Sequence, residues 1–259
     1  MIDEQFIDNL GRTARKVKLF ITDDTIVQPF AKEETNVIVG GAGGIGSWLT
    51  LMLCRAGFYP IVYDFDRLEE HNLAGQLYGQ TDAKDMVPKV DALKGLCKNF
   101  ADTDITVMNE KYTRDSMSHH YVFSAFDNMQ ARKDMFGAWC EYVEEWKRSL
   151  ETEEVEGPLI DSYKTTPIFI DGRLTAEQMQ IFCITPDRIE AYKEHLFDDS
   201  EVEDTPCTMK QTSHSAAMIA SHMTGFFTNH FTNNQVGELD RNLPFKWEYF
   251  IPINYINEE

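Results

Sequence analysis

Basic residues are scarce in this chain: 24 Lys and Arg stand against 43 Asp and Glu in 259 residues, a formal charge of −19. A surface this acidic repels a phosphate backbone and an anionic bilayer, so broad nucleic-acid or membrane-surface binding is not expected. A partner with a basic face would instead be steered toward it. Long apolar runs are missing as well, which excludes a membrane-spanning helix. The opening residues, Met1-Ile-Asp-Glu-Gln-Phe6, have neither the basic start nor the apolar run of a secretory signal, and the expected compartment is the cytoplasm. The five cysteines form no Cys-x-x-Cys pair, so neither zinc nor dithiol redox chemistry is expected. Cys54, Cys97, Cys140 and Cys183 recur every 43 residues, but their flanks do not match, so the spacing is not a repeat. These four fit apolar patterns and read as core. Aromatic residues are plentiful, with 17 Phe, 10 Tyr and 4 Trp, enough for a continuous core in one large domain.

From Thr35 onward, strands and helices alternate. Asn36–Val39 and Pro60–Tyr63 read as strands, Ile45–Ala56 as a helix stopped by Gly57, and Pro88–Phe100 as a helix opened by proline. Asp104–Asn109 and Tyr121–Phe126 read as strands, followed by a long helix over Met129–Arg148. The order implies an α/β, Rossmann-like, mostly parallel sheet with helices on both faces. The C-terminal part adds antiparallel strands at Pro167–Asp171, Gln178–Thr185 and Phe245–Ile251, and a helix over Ser213–Phe231. Residues 1–34 form a separate N-terminal segment, with a helix expected over Ile2–Lys18. Residues 35–259 form the main domain, with an acidic loop at 197–206.

Gly41-Ala-Gly-Gly-Ile-Gly46 lies between the first strand and the first helix. Glycines there let the backbone approach a phosphate, and the helix N-terminus attracts it. Asp64 ends the second strand, where a carboxylate accepts hydrogen bonds from ribose hydroxyls. The pattern points to a nucleotide and leaves open which one.

The following stretches narrow it. Asp64-Phe-Asp66, Asn72-Leu-Ala-Gly-Gln76, Pro88-Lys89 and Phe126-Asp127-Asn128 with Arg132 occur in order. Together they resemble the ThiF/MoeB/ubiquitin-activating family of adenylating enzymes, from about Val37 to Arg132, with weaker agreement through Asp171-Gly-Arg173 and the helix after Cys207. The resemblance implies a homodimeric or pseudo-dimeric fold that binds Mg-ATP. It also implies adenylation of a carboxylate, the C-terminus of a small ubiquitin-like or sulfur-carrier-like protein or peptide, with release of pyrophosphate. Carried over by residue, Gly41, Gly43, Gly44 and Gly46 line the nucleotide. Asp64 holds the ribose with Asp66 nearby, Asn72, Gln76 and Lys89 face the phosphates, and Asp127 positions magnesium. Such residue types suit a reaction in which two anions meet. For Lys89 the plain alternative is a solvated side chain, and for Asp127 the cap of the next helix.

The chain departs from the family at Gly75, and two other features bear on the resemblance. Gly75 stands where an arginine is usual, and Arg67 is the nearest candidate to replace its charge. Arg12 and Arg15 lie in a segment from which a partner subunit would supply an arginine. The position of Cys207 resembles that of the thioester-forming cysteine of ubiquitin-activating enzymes, and reads equally as a core cysteine beside a helix start. His214, His222 and His230 lie eight residues apart on one helix and so do not share a face, and His119-His120 reads as a loop pair. Two other functions stay open: a nicotinamide-dependent dehydrogenase, which shares the glycine loop, and a non-catalytic dimerising scaffold, which Gly75 favours.

Overall fold

In the computed structural model, the described residues are 35–151, 165–175, 177–198, 212–235 and 240–259. The N-terminal helix, Arg12, Arg15, Cys207 and most of the acidic loop at 197–206 lie outside them. Eight strands form one sheet in the order β3-β2-β1-β4-β5-β6-β7-β8. They are β1 (Asn36–Gly40), β2 (Tyr59–Tyr63), β3 (Thr106–Met108), β4 (Tyr121–Ser124), β5 (Ile168–Thr175), β6 (Gln178–Ile184), β7 (Lys246–Phe250) and β8 (Tyr255–Glu258). The first five run parallel, and the last three continue the sheet antiparallel. The expected mixed α/β sheet is present. The helices are α1 (Gly44–Ala56), α2 (Gln80–Lys84), α3 (Lys89–Ala101), α4 (Met129–Glu151), α5 (Ile189–Lys193) and α6 (Ser213–Gln235). Among the described residues, no helix is long and apolar enough to cross a membrane.

Strand β1 explains the layering. Val37 and Val39 point into a core shared with Leu49, Leu53, Ile219 and Phe227, while Ile38 points into a second core with Met135, Phe136, Trp139 and Tyr192. Both faces of β1 are therefore apolar, as a central parallel strand requires. Helices α1, α3 and α6 cover one face, and α4 and α5 the other.

Several boundaries differ from the sequence reading. Strand β3 is shorter, β4 stops at Ser124, and β8 and the short helices α2 and α5 are additional. Cys54, Cys97 and Cys183 are buried as expected, while Cys140 is only partly so. His119-His120 lies in the loop before β4, as expected, but His120 is not solvated there. It is buried beside β4, with Thr165 Oγ1 2.9 Å from Nε2 and the Tyr142 hydroxyl 3.1 Å from Nδ1. Those two side chains supply the polar partners that make a buried imidazole tolerable.

Candidate functional site

Strand β1 pairs with β2 on one side and β4 on the other, so the chain reverses its winding direction there and leaves a crevice beyond the strand ends. The glycine segment fills the base of that crevice. Gly41 has φ +91°, a left-handed conformation that favours glycine, and its N–H donates to the Tyr63 carbonyl at 2.8 Å. Gly43 caps α1 without a side-chain hydrogen bond, so the first-turn N–H groups are left to an incoming acceptor. A Cβ at Gly43 would meet nothing within 4 Å, which places open space directly in front of the loop. Gly46 has another task. A Cβ there would lie 1.8 Å from the Gly41 carbonyl oxygen, so it lets the helix pack behind the loop and does not itself line the crevice.

Asp64 closes the end of β2. Its Oδ2 accepts the Ala42 N–H at 2.7 Å and its Oδ1 accepts the Asp66 N–H at 2.8 Å. Burial raises its carboxyl pKa above the ordinary value, against the pull of those N–H groups and Lys89. Each oxygen retains a lone pair for a hydroxyl donor. Lys89 opens α3, is buried rather than solvated, and places Nζ 2.7 Å from Asp66 Oδ2.

The segment after β2 is pinned to α1. Trp48 Nε1 donates to the Gly75 carbonyl at 3.1 Å, Leu77 N to Ser47 Oγ at 3.1 Å, and the Tyr78 hydroxyl to the Ala42 carbonyl at 2.6 Å. These bonds hold Asn72 and Gln76 at the crevice wall. Gln76 Oε1 is buried without a hydrogen-bond partner, an acceptor that a ligand hydroxyl or amino group would satisfy. Arg67 is directed elsewhere: its guanidinium donates to the Met86 carbonyl at 2.9 Å, and it is absent from the crevice wall.

On the β4 side, the cap of α4 is Asn128, whose Oδ1 accepts the Ala131 N–H at 2.8 Å. Asp127 is thereby left exposed at the wall, its Oδ1 accepting only a 3.2 Å bond from Asn128 among the hydrogen bonds of the described residues. Behind it lies a buried network. Arg132 pairs with Asp171 and donates to the Gly172 and Phe126 carbonyls, and Arg173 Nε donates to Asp171 at 2.7 Å. Burial alone would raise the Asp171 carboxyl, but the two guanidinium groups outweigh it and hold the group below the ordinary carboxylate range. The sequence marked Arg132 and Asp171-Gly-Arg173 as agreeing with a pattern, without assigning them this role.

Most of these groups meet around one cavity of about 860 Å³. Its wall includes Gly41, Gly43, Gly44, Asp64, Asp66, Asn72, Gln76, Lys89 and Asp127, which are every expected site residue among those described except Gly46. The open glycine loop, the unsatisfied Gln76 amide and the carboxylate of Asp127 fit a nucleotide accompanied by a divalent cation. Mg²⁺ is commonly held by one or two carboxylates together with phosphate oxygens. Among the described residues, no cluster of three His, Cys, Asp or Glu is arranged to hold a metal unaided.

A family model described as the ThiF family matches residues 28–242. The chain belongs to the ThiF family. Solved structures share its fold. PaaA superposes with a TM-score of 0.61 at 14% identity, covering 100% of this chain and 83% of that one. E. coli MccB in a structure with ATP gives a TM-score of 0.59 at 11% identity, covering 87% of this chain and 63% of that one. MccB with AMPCPP and MccA gives 0.58 at 11% identity over the same shares. This ThiF-family chain thus spans less than two thirds of the length of the MccB chains it matches.

Proposed function

We propose that this chain binds ATP with magnesium in the cavity and adenylates a carboxylate at the end of a peptide or small protein. A carboxylate oxygen attacks the α-phosphorus, pyrophosphate leaves, and an acyl-adenylate remains. The observation that carries the reading is the convergence of the glycine loop, Asp64, the Asp66–Lys89 pair and Asp127 on one cavity. Here the α1 N-terminus and Lys89 attract phosphate, Asp64 accepts ribose hydroxyls, and the amide N–H groups of Gln76 and Asn72 donate along the phosphate chain. Asp127 with phosphate oxygens would hold Mg²⁺, which would neutralise charge as the two anions meet.

Membership of the ThiF family and the MccB structures solved with ATP and with MccA support a nucleotide and a peptide-like partner. The finer parts rest on the sequence alone: a ubiquitin-like or sulfur-carrier-like partner, a homodimer, a cytoplasmic setting and onward transfer to Cys207.

Thermal unfolding with Mg-ATP, NAD and NADH in separate arms tests the reading. A ligand at about 100 times its dissociation constant stabilises by about 2.7 kcal/mol, a clear shift in midpoint. A shift with Mg-ATP alone, lost in Lys89→Ala, is the expected result. A shift with NAD or NADH alone would transfer the cavity to a dehydrogenase.

A further inference from the structure

The loop between β3 and β4 forms a wall of the cavity that none of the motifs above includes. Its Glu110, Lys111 and Tyr112 line the space. Tyr112 is buried, stands edge-on to Tyr63 at 4.9 Å between ring centroids, and donates its hydroxyl to the Met117 carbonyl at 3.1 Å. The loop is thus folded back over the strand ends.

Two features give this wall a role. The first is charge. Of the cavity-lining cations, Lys89 is paired with Asp66, and Arg132 and Arg173 are paired with Asp171. Lys111 is exposed and, among the described residues, has no carboxylate partner. The wall also carries Asp64, Asp66, Glu110 and Asp127, so a polyanion entering here gains most from a cation not already neutralised.

The second feature is a notch in α4. Gly137 lies inside that helix, where glycine is a poor helix former. A Cβ at Gly137 would sit 1.2 Å from an Arg114 guanidinium nitrogen, so Arg114 occupies the space that any other residue would fill. Its Nε and Nη2 both donate to Glu141 Oε1, at 3.0 and 2.7 Å. An exposed ion pair is weak by itself. Seated in the notch, it anchors the loop three residues beyond Lys111.

We infer that Lys111 is a further nucleotide-binding residue, and that Arg114, seated against Gly137 and paired with Glu141, is the positioning residue that holds it at the cavity. The inference rests on the ATP-binding reading above and adds a binding residue to it.

The test is a titration of the full chain with Mg-ATP by calorimetry, with the unfolding midpoint of each ligand-free variant measured alongside. Lys111→Ala lowers affinity by about tenfold, as removal of one charge-assisted contact does. Lys111→Glu lowers it further, and Lys111→Arg keeps it. Gly137→Ala displaces only the flexible end of Arg114, so the ligand-free midpoint is kept or raised while affinity falls several-fold. Arg114→Ala has the same effect on affinity, and the double variant is no worse than either single one. Wild-type affinity in Lys111→Glu overturns the role of Lys111, and additive losses in the double variant overturn the notch. If the native chain binds no Mg-ATP, the underlying reading fails with it. If the native chain binds and the variants bind equally well, this inference alone fails.

Discussion

Lys89 is tied twice to Asp66: Nζ lies 2.7 Å from Oδ2, and the Lys89 backbone N–H donates to the Asp66 carbonyl at 2.9 Å. The first residue of α3 is thus fastened to the turn after β2. The ammonium that would meet a phosphate is positioned before any ligand arrives, which limits the ordering cost of binding. Asp66 is half-exposed and can rehydrate, so Lys89→Ala should cost only about 1–2 kcal/mol of stability, between the values for surface and buried pairs. Its loss of Mg-ATP affinity should be proportionally larger. Denaturant unfolding and ligand titration on the same protein check this, and equal losses would make Lys89 merely structural.

Two glycines of one loop should respond oppositely to alanine. Gly46→Ala drives a Cβ into the Gly41 carbonyl oxygen, where only backbone can yield. Destabilisation of about 3 kcal/mol or more is expected, visible as a lowered midpoint without ligand. Gly43→Ala enters open space, so the ligand-free midpoint should change little while nucleotide affinity falls. A large drop in ligand-free stability for Gly43→Ala would show that the space in front of the loop is not free.

Neighbouring residues before α4 divide cap and site between them. Asn128→Ala removes the bond to the Ala131 N–H and should cost about 1 kcal/mol, independent of magnesium. Asp127→Asn should leave unfolding unchanged and weaken nucleotide binding only when Mg²⁺ is present. Paired titrations with Mg²⁺ and with a chelator separate the two, and a magnesium-independent loss in Asp127→Asn would remove the metal-positioning role.

Asp171 stands between two guanidinium groups and is fully buried. Asp171→Asn leaves both cations without their counter-charge, and a loss of about 3–5 kcal/mol is expected. Because its folded pKa is depressed, its contribution is present above the ordinary carboxylate value and is lost as pH falls through the depressed one. The substitution should therefore cost most near neutrality and progressively less in acid, as measured by urea midpoints across pH.

Acid should also act through two histidines. Burial lowers His120 from 6.5 to about 3 and His230 from 6.5 to about 4. Their folded values lie below the unfolded one, so protons bind the unfolded chain first. Stability is full above 6.5 and falls as pH drops toward those values. The slope is about 1.4 kcal/mol per pH unit for each group. Replacing both with glutamine should flatten the loss between neutrality and about pH 4.5. An unchanged acid limb would place the sensitivity elsewhere.

Much of the fold was legible because β1 and β2 are apolar on both faces and α1 ends in the left-handed Gly57. Strand β8 was not, since its Tyr255 and Ile256 are exposed and its identity comes only from pairing with β7. The apolar run Ala125-Phe126 prolonged β4 on paper, whereas Phe126 turns toward Tyr112 and yields its carbonyl to Arg132. At the site, the glycine loop and Asp64 were readable because both belong to one strand–helix–strand unit, β1–α1–β2. The Arg132–Asp171 pair and the Arg114–Gly137 contact were not, because topology brings together residues that carry no local pattern. His119-His120 was readable as a loop pair, but the burial of His120 was not, its partners Tyr142 and Thr165 being distant in sequence.

The walls of the cavity are drawn from Gly41 through Phe197. Contacts this far apart along the chain form late in folding, because the entropy of closing long loops is lost before they yield anything. The pocket therefore does not exist on a half-formed molecule. Early on a ribosome, or after a partial unfolding event, this chain would hold the glycine loop without the opposite wall. Occupancy by a small molecule would then register completed folding, and a bound ligand would slow unfolding far more than it hastens refolding.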